Sequence, residues 1–191
     1  MSPLKCCTCK ARLRREILCE AQQNSGHSVD GSYAEYMLVD EKFAGRIPDG
    51  VDVNEMAPIL CAGVTVYKGL KETEVRPGQW VVISGVGGLG PIAVHYAIAM
   101  GMRVVAVDVD PAKLELAAKQ GAEVTVNARE VDPVTAVHDA IGGAHGVLVT
   151  AVHPTAFSQA ISMTRRDGTI VLVGLPLALL RSTFSTWCFA A

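Results

Sequence analysis

The chain has 191 residues, of which 50% are hydrophobic and only 5% aromatic, and its formal net charge is −2. This length suits one domain or one domain with part of a second, and the composition is typical of α/β cores. The charge gives no electrostatic reason to expect binding to nucleic acid or to an anionic membrane.

The sequence also lacks the marks of secretion and membrane insertion. The longest apolar stretch, residues 170–180, contains Gly174 and Pro176 and is too short to cross a bilayer. The N-terminus is basic but has no apolar core of a secretory signal. A cytoplasmic location is therefore the default expectation.

Up to residue 78 the sequence predicts only short elements. Residues 1–18 show no clear period, 33–39 suit a β-strand, and 44–48 suit a short edge strand that ends at Pro48. Residues 54–60 and 64–70 fit helices, and Pro77-Gly78 marks a turn.

From residue 79 onward, strands and helices alternate. This pattern predicts βαβ units and a parallel sheet of five strands, one short of the six-stranded Rossmann dinucleotide-binding fold. The predicted strands are 79–84, 103–107, 123–126, 146–150 and 169–173, and the predicted helices are 89–100, 111–119, 133–140 and 154–165.

A glycine-rich run joins the first of these strands to the first helix. Gly85, Gly87 and Gly90 follow the pattern G-x-G-x-x-G, with Gly88 and Leu89 between the last two. The first glycine permits a tight turn, the second lets the backbone approach a pyrophosphate, and the third allows close packing of helix on strand. The helix N-terminus adds free N–H groups for the phosphates.

Asp108 ends the next strand, 18 residues after Gly90, where this fingerprint places a carboxylate that binds a ribose 2′-hydroxyl. An aspartate at this position repels a 2′-phosphate, so the sequence favours NAD over NADP. The alternative is that Asp108 is an ordinary turn or cap residue before Pro111.

Several long strings resemble the zinc-dependent medium-chain alcohol dehydrogenases of the bacterial and yeast-like branch. The resemblance extends over roughly residues 16–176. Besides the glycine run, the strings are 18–20, 30–36, 57–71, 113–117, 142–152 and 173–176.

The resemblance implies two domains, a GroES-like catalytic domain that carries zinc and a Rossmann domain that carries NAD. It divides the chain into a divergent segment 1–18, a partial GroES-like domain 19–60, a Rossmann domain 61–176 and a divergent tail 177–191. The family oxidises a primary alcohol to an aldehyde by hydride transfer to NAD, with zinc stabilising the alkoxide. Its members are homo-oligomers, and the chain lacks the sixth strand.

The same resemblance assigns roles to single residues. Cys61 corresponds to a ligand of the catalytic zinc, Thr65 to a residue beside the nicotinamide, and Cys19 to the last cysteine of the structural-zinc lobe. The positions that correspond to NAD contacts are Gly85, Gly87, Gly88, Leu89, Gly90, Asp108, Lys113, Val152 and Leu175.

Each of these positions also has a plain structural interpretation. From the residues alone, a cysteine such as Cys61 in an apolar stretch is more often a buried core residue than a ligand, and Thr65 could be a small packing residue. Lys113 is equally a solvated helix lysine. Val152 and Leu175 are equally core residues.

Both zinc sites are expected to be incomplete. The other ligands of the catalytic zinc lie in the part of the family that precedes residue 1, and a catalytic zinc needs three protein ligands. In the structural lobe, the positions that should hold cysteines hold Lys5, Thr8 and Ala11, whereas Cys6 and Cys9 are out of register. We therefore expect a truncated, catalytically impaired alcohol dehydrogenase.

The tail from Leu177 leaves the family pattern. A shift of one base would convert Ser185–Phe189 into Phe-Asp-Val-Val-Leu, the family's usual continuation, so we hypothesise a frameshifted reading. Coding DNA that does not restore the family text in another frame refutes this.

Three alternative functions remain open. The chain could be a non-catalytic NAD-binding fragment or pseudogene product, a zinc-free quinone-reductase relative, or an S-adenosylmethionine methyltransferase. Cys61 and Cys19 argue against the second, and the long strings around Cys61 and Thr150 argue against the third.

Overall fold

The computed structural model describes residues 23–174. These residues belong to two compact units, of which residues 23–51 and 52–174 are the described parts. The division between residues 51 and 52 separates two groups of residues that are each compact. The family-based boundary at 60/61 stays a prediction.

The first unit is largely irregular. Residues 24–29 form a turn in which the Gly26 amide donates to the Val29 carbonyl at 2.8 Å, and Glu41–Phe43 form a single 3₁₀ turn. The predicted strands 33–39 and 44–48 are wrong for this structure. A strand needs a neighbour for its backbone hydrogen bonds, and no described residue pairs with either segment. The side chains of Tyr33 and Tyr36 are correspondingly exposed.

The second unit begins with one helical stretch in three parts. Helix α1 (Val53–Pro58) starts at Asp52, whose carboxylate accepts the Asn54 amide at 2.7 Å. A π-helical turn (Ile59–Gly63) follows and leads directly into α2 (Val64–Glu72). The two helices predicted here are thus confirmed, but a π-turn joins them, and such turns are rare and often found at functional sites.

A five-stranded parallel sheet forms the centre of this unit, in the order β3-β2-β1-β4-β5. Within residues 23–174 the five strands follow the first five positions of the Rossmann strand order, which confirms the predicted fold class. The strands are β1 (Trp80–Ser84), β2 (Arg103–Asp108), β3 (Val124–Asn127), β4 (Ala144–Val149) and β5 (Thr164–Leu172). The connecting helices are α3 (Gly90–Ala99), α4 (Pro111–Lys119), α5 (Pro133–Ile141) and α6 (Pro154–Met163).

Helices cover both faces of the sheet. Alternate residues of a strand point to opposite faces, so Val81 and Ile83 join one buried cluster whereas Val82 joins another. The first cluster includes buried residues of α2, α3 and α4, and the second includes those of α5 and α6. Both faces are therefore apolar, as a doubly wound parallel sheet requires. Every helix within residues 23–174 falls short of the length and apolar character that a membrane crossing requires.

Candidate cofactor-binding site

The loop between β1 and α3 contains two glycines that no other residue could replace without a clash. Gly85 has φ +96°, and a Cβ there would lie 2.7 Å from the Ala151 backbone nitrogen. A Cβ on Gly90 would lie 2.6 Å from the Gly85 carbonyl oxygen. These contacts match the roles expected from the fingerprint, a tight turn and close packing of helix on strand.

Gly87 and Gly88 differ from these two glycines, because a Cβ on either would have no other residue's atoms within 4 Å, apart from its chain neighbours. Leu89 precedes α3 as its N-cap and gives no side-chain hydrogen bond to the first turn. By contrast, side chains cap the other three helices that follow strands, through Asp110 on α4, Asp132 on α5 and His153 on α6. The uncapped amides of α3 and the open backbone beside them suit a bound anion.

Asp108 ends β2 beside this loop. Its Oδ2 accepts the Val86 amide at 2.7 Å, and its Oδ1 accepts the amides of Val109 at 2.8 Å and Asp110 at 3.0 Å. Asp108 therefore has the turn geometry of the plain interpretation and also lies at the glycine loop. A carboxylate has about four acceptor positions, so one remains on Oδ2 for a ligand hydroxyl.

Thr150 was not among the predicted site residues, although it contacts the loop directly. Its hydroxyl donates to the Gly85 carbonyl at 2.6 Å. The signal that could have revealed it is positional. Thr150 immediately follows β4, and β4 lies next to β1 in the sheet. Val152, two residues further, is 65% exposed and is therefore not a core residue.

Lys113 lies in the first turn of α4, with its Nζ 3.6 Å from Asp110 Oδ2 and its side chain 45% exposed. This geometry places a positive charge near the end of β2. It agrees with a solvated helix lysine and with a ribose contact alike, so the ribose contact stays a prediction.

Cys61 and Thr65 both lie in the helical stretch that precedes β1 and are exposed. The exposure excludes a buried core role for Cys61. Its π-turn packs on α3, since a Cβ on Gly63 would lie 3.0 Å from the Tyr96 hydroxyl. Within residues 23–174, no group of three or more His, Cys, Asp or Glu side chains could hold a metal. The described residues therefore do not complete a zinc site around Cys61, and Cys19 and Leu175 lie outside them.

Among the described residues, three of the four groups with a shifted pKa lie at the opposite end of the sheet, where the strands begin. The fourth is Asp132, the N-cap of α5, whose pKa is lowered by hydrogen bonds from Thr135. The Arg103 guanidinium binds Glu123 through two nitrogens at 2.7–3.1 Å and lowers the pKa of that carboxyl. Burial and the neighbouring charge of Arg165 lower the pKa of His145. These three groups lie at the starts of strands, whereas the glycine loop and Asp108 lie at strand ends, where doubly wound sheets bind ligands.

This combination of strand order, loop and carboxylate defines a dinucleotide-binding Rossmann unit. A family of proteins described as "Zinc-binding dehydrogenase" matches residues 88–187. The chain belongs to this zinc-binding dehydrogenase family, as the resemblance in its sequence indicated. The match runs past residue 176, and the predicted boundary there remains untested.

Individual relatives agree with this assignment. An alcohol dehydrogenase of Moraxella sp. strain TAE123 is 63% identical over 161 residues, which are 84% of this chain and 48% of the relative. An alcohol dehydrogenase of Rhizobium meliloti strain 1021 is 58% identical over 171 residues, 90% of this chain and 50% of the relative. The chain thus spans about half the length of the curated relatives it matches.

Solved structures show the same fold. The alcohol dehydrogenase from the archaeon Aeropyrum pernix superposes with a TM-score of 0.79 at 32% identity, over 92% of this chain and 53% of that one. Galactitol-1-phosphate dehydrogenase from Escherichia coli superposes with a TM-score of 0.78 at 26% identity, over 93% and 52%.

Proposed function

We propose that the chain is the NAD-binding part of an alcohol dehydrogenase. The observation that carries the proposal is the loop at residues 85–90. Two of its glycines shape the turn, because a Cβ there would clash with the backbone, and the other two leave open space for a ligand. The cofactor's pyrophosphate lies on this loop and on the first turn of α3, and Asp108 binds a hydroxyl of the adenosine ribose through its remaining acceptor position.

The proposed reaction is oxidation of a primary alcohol to an aldehyde. When bound, NAD would supply the acceptor for the hydride that leaves the alcohol carbon, and the hydroxyl proton would be released. The contribution of this chain is to hold the dinucleotide, with Val152 toward the nicotinamide and Lys113 toward the ribose. The nicotinamide role of Leu175, which lies outside the described residues, rests on the family resemblance alone. The relatives are named alcohol dehydrogenases, which supports an alcohol as the substrate class. That the alcohol is a primary one is our own further proposal.

Zinc enters the proposal only because the family to which the chain belongs is described as zinc-binding. Cys61 offers one thiolate, whereas a catalytic zinc requires three protein ligands and an open position. The described residues do not supply the other two. We therefore assign no chemical step of this chain to zinc. A chain that binds NAD without turnover is the second candidate function, and this shortage of ligands favours it.

Titration of the full chain with NADH, followed by cofactor fluorescence, tests the proposal. Gly87→Ala adds a methyl group where the structure leaves space and where φ is ordinary for any residue, so the fold should tolerate it. The same methyl would intrude on the pyrophosphate, and we expect Kd to rise at least about tenfold. Gly45→Ala is the matched control, because Gly45 shares both properties and lies outside the loop.

Lack of NADH binding by the folded wild-type chain would contradict the proposal, as would equal affinities for the wild type and Gly87→Ala. Zinc content and alcohol turnover, measured on the same sample, separate the two candidate functions. Turnover with stoichiometric zinc supports the dehydrogenase. Binding without turnover and with less than one zinc per chain supports the non-catalytic alternative.

A further inference from the structure

One peptide group of the glycine loop is held at both of its ends. The Gly85 carbonyl and the Val86 amide belong to the same peptide plane. The carbonyl accepts the Thr150 hydroxyl at 2.6 Å, and the amide donates to Asp108 Oδ2 at 2.7 Å. Thr150 immediately follows β4 and Asp108 ends β2, and these strands lie on either side of β1.

The strand register explains why these side chains meet here. Ser84 pairs with Val107 on one side and with Val149 on the other. The next residues of the three strands, Gly85, Asp108 and Thr150, therefore come side by side. A hydroxyl can donate only one hydrogen. The Thr150 hydroxyl lies 3.5 Å from the Ser84 carbonyl, which already accepts the amides of Thr150 and Ala151. The much shorter distance of 2.6 Å to the Gly85 carbonyl makes Gly85 its main acceptor.

A glycine at this corner needs such support. Gly85 has no side chain to restrict its backbone, and its φ of +96° is only one of several conformations open to glycine. A reversed peptide would also place a carbonyl oxygen against the Asp108 carboxylate. Two hydrogen bonds on one peptide plane thus hold the loop in a single orientation before any ligand arrives, which reduces the ordering cost of binding.

From this we propose that Thr150, acting with Asp108, is a positioning residue that orients the 85–86 peptide group for the cofactor's pyrophosphate. The proposal rests on the proposed NAD-binding function. Asp108 serves both the ribose and the loop, whereas Thr150 acts only through the Gly85 carbonyl, so Thr150 is the residue that isolates the effect.

The test compares Thr150→Val, which removes the hydroxyl at nearly constant shape, with Thr150→Ser, which keeps it. In Thr150→Val without cofactor, we expect the Val86 amide to exchange with solvent about tenfold faster, while the Val105 amide in central β2 is unchanged. We expect the Kd for NADH to rise about fivefold to tenfold in Thr150→Val. Thr150→Ser should restore both quantities, which a purely space-filling role of the threonine would not require.

The outcomes separate this inference from the proposed function. If the wild-type chain does not bind NADH, the proposed function fails, and with it the cofactor role of Thr150. If the wild type binds NADH but Thr150→Val binds it equally well, only the positioning role fails. A Val86 amide that exchanges freely in the wild-type chain also overturns the inference, and this measurement needs no folded variant.

Discussion

At the scale of single residues, the four loop glycines fall into two pairs. Gly85 and Gly90 are required by the protein itself, because any Cβ would strike backbone atoms within 3 Å. Gly87 and Gly88 satisfy no packing need, because a Cβ there would meet nothing. The spacing G-x-G-x-x-G specifies three of these glycines, whereas Gly88 occupies one of its variable positions. Only coordinates separate the glycines that shape the turn from those that leave room for a ligand.

The first prediction concerns stability. Gly90→Ala should lower the free energy of unfolding by about 1–3 kcal/mol, because the added methyl overlaps the Gly85 carbonyl. Gly88→Ala adds the same methyl to open space, and we expect a change within about 0.5 kcal/mol. Urea denaturation of both variants checks the pair, and equal destabilisation of the two contradicts it.

A second prediction follows from the charge of Asp108. The carboxylate already accepts three backbone amides, which hold it in place at the end of β2. A 2′-phosphate brought to this position meets a fixed negative charge, and we expect NADPH to bind about tenfold or more weakly than NADH. Parallel fluorescence titrations at one ionic strength measure the ratio. A ratio near one is inconsistent with a ribose bound at Asp108.

At the scale of elements, the sequence predicts the second unit well. Helix α4 has the predicted bounds, and most other ends differ by one or two residues. Strand β5 begins at Thr164, five residues before the prediction, because its pairing with β4 is irregular between Ala144 and Gly146. Such a shift depends on contacts between strands, which a pattern along one strand does not contain.

For the first unit, the strands predicted from the sequence are wrong. Residues 33–39 are rich in the aromatic and apolar residues that suit a strand, yet no described segment pairs with them. Such a composition favours an extended backbone but does not supply a neighbouring strand. The candidate site has the same limit, since Thr150 becomes visible only once the strand order brings β4 beside β1.

We also predict how the stability of the sheet depends on pH, through His145 in β4. The His145 ring faces two donors, the Trp80 amide at Nδ1 (3.2 Å) and the Arg165 guanidinium at Nε2 (2.6 Å). A neutral ring accepts from one of these donors, set by its tautomer, whereas a protonated ring carries N–H at both nitrogens and accepts from neither. Burial first, and the Arg165 charge second, lower the pKa of His145 below its ordinary value of 6.5.

The sign of the effect follows from proton linkage. Below pH 6.5 the unfolded chain binds a proton at this histidine more readily than the folded chain does. The stability due to neutral His145 is therefore complete above that pH and is lost as the pH falls through the window beneath it. Urea titrations across this window should show a smaller pH slope for His145→Gln than for the wild type. His95→Gln, on an exposed position of α3, is the control and should keep the wild-type slope.

At the scale of the whole molecule, the proposal links cofactor binding to stability. A ligand that binds only the folded chain stabilises it by RT ln(1 + [L]/Kd), about 2.7 kcal/mol at a hundredfold excess over Kd. For a chain of 191 residues this corresponds to a rise in Tm of about 5–10 °C. Thermal unfolding with and without NADH measures the shift. At the same NADH concentration, a Kd raised tenfold leaves Gly87→Ala with about 1.4 kcal/mol of stabilisation, so we expect about half of the wild-type shift or less. An equal shift in that variant speaks against binding at the loop.

The most direct test of the central claim is an NMR titration of the ¹⁵N-labelled chain with NADH, with every backbone amide followed individually. We expect the largest shifts at the amides of residues 85–90 and Ile92, in the loop and the first turn of α3, and at Asp108–Asp110 beside it. The amide signals of Arg103, Glu123 and His145, at the opposite end of the sheet, should not shift. NADH binding that leaves residues 85–92 unshifted, or that shifts the starts of the strands instead, would contradict the account.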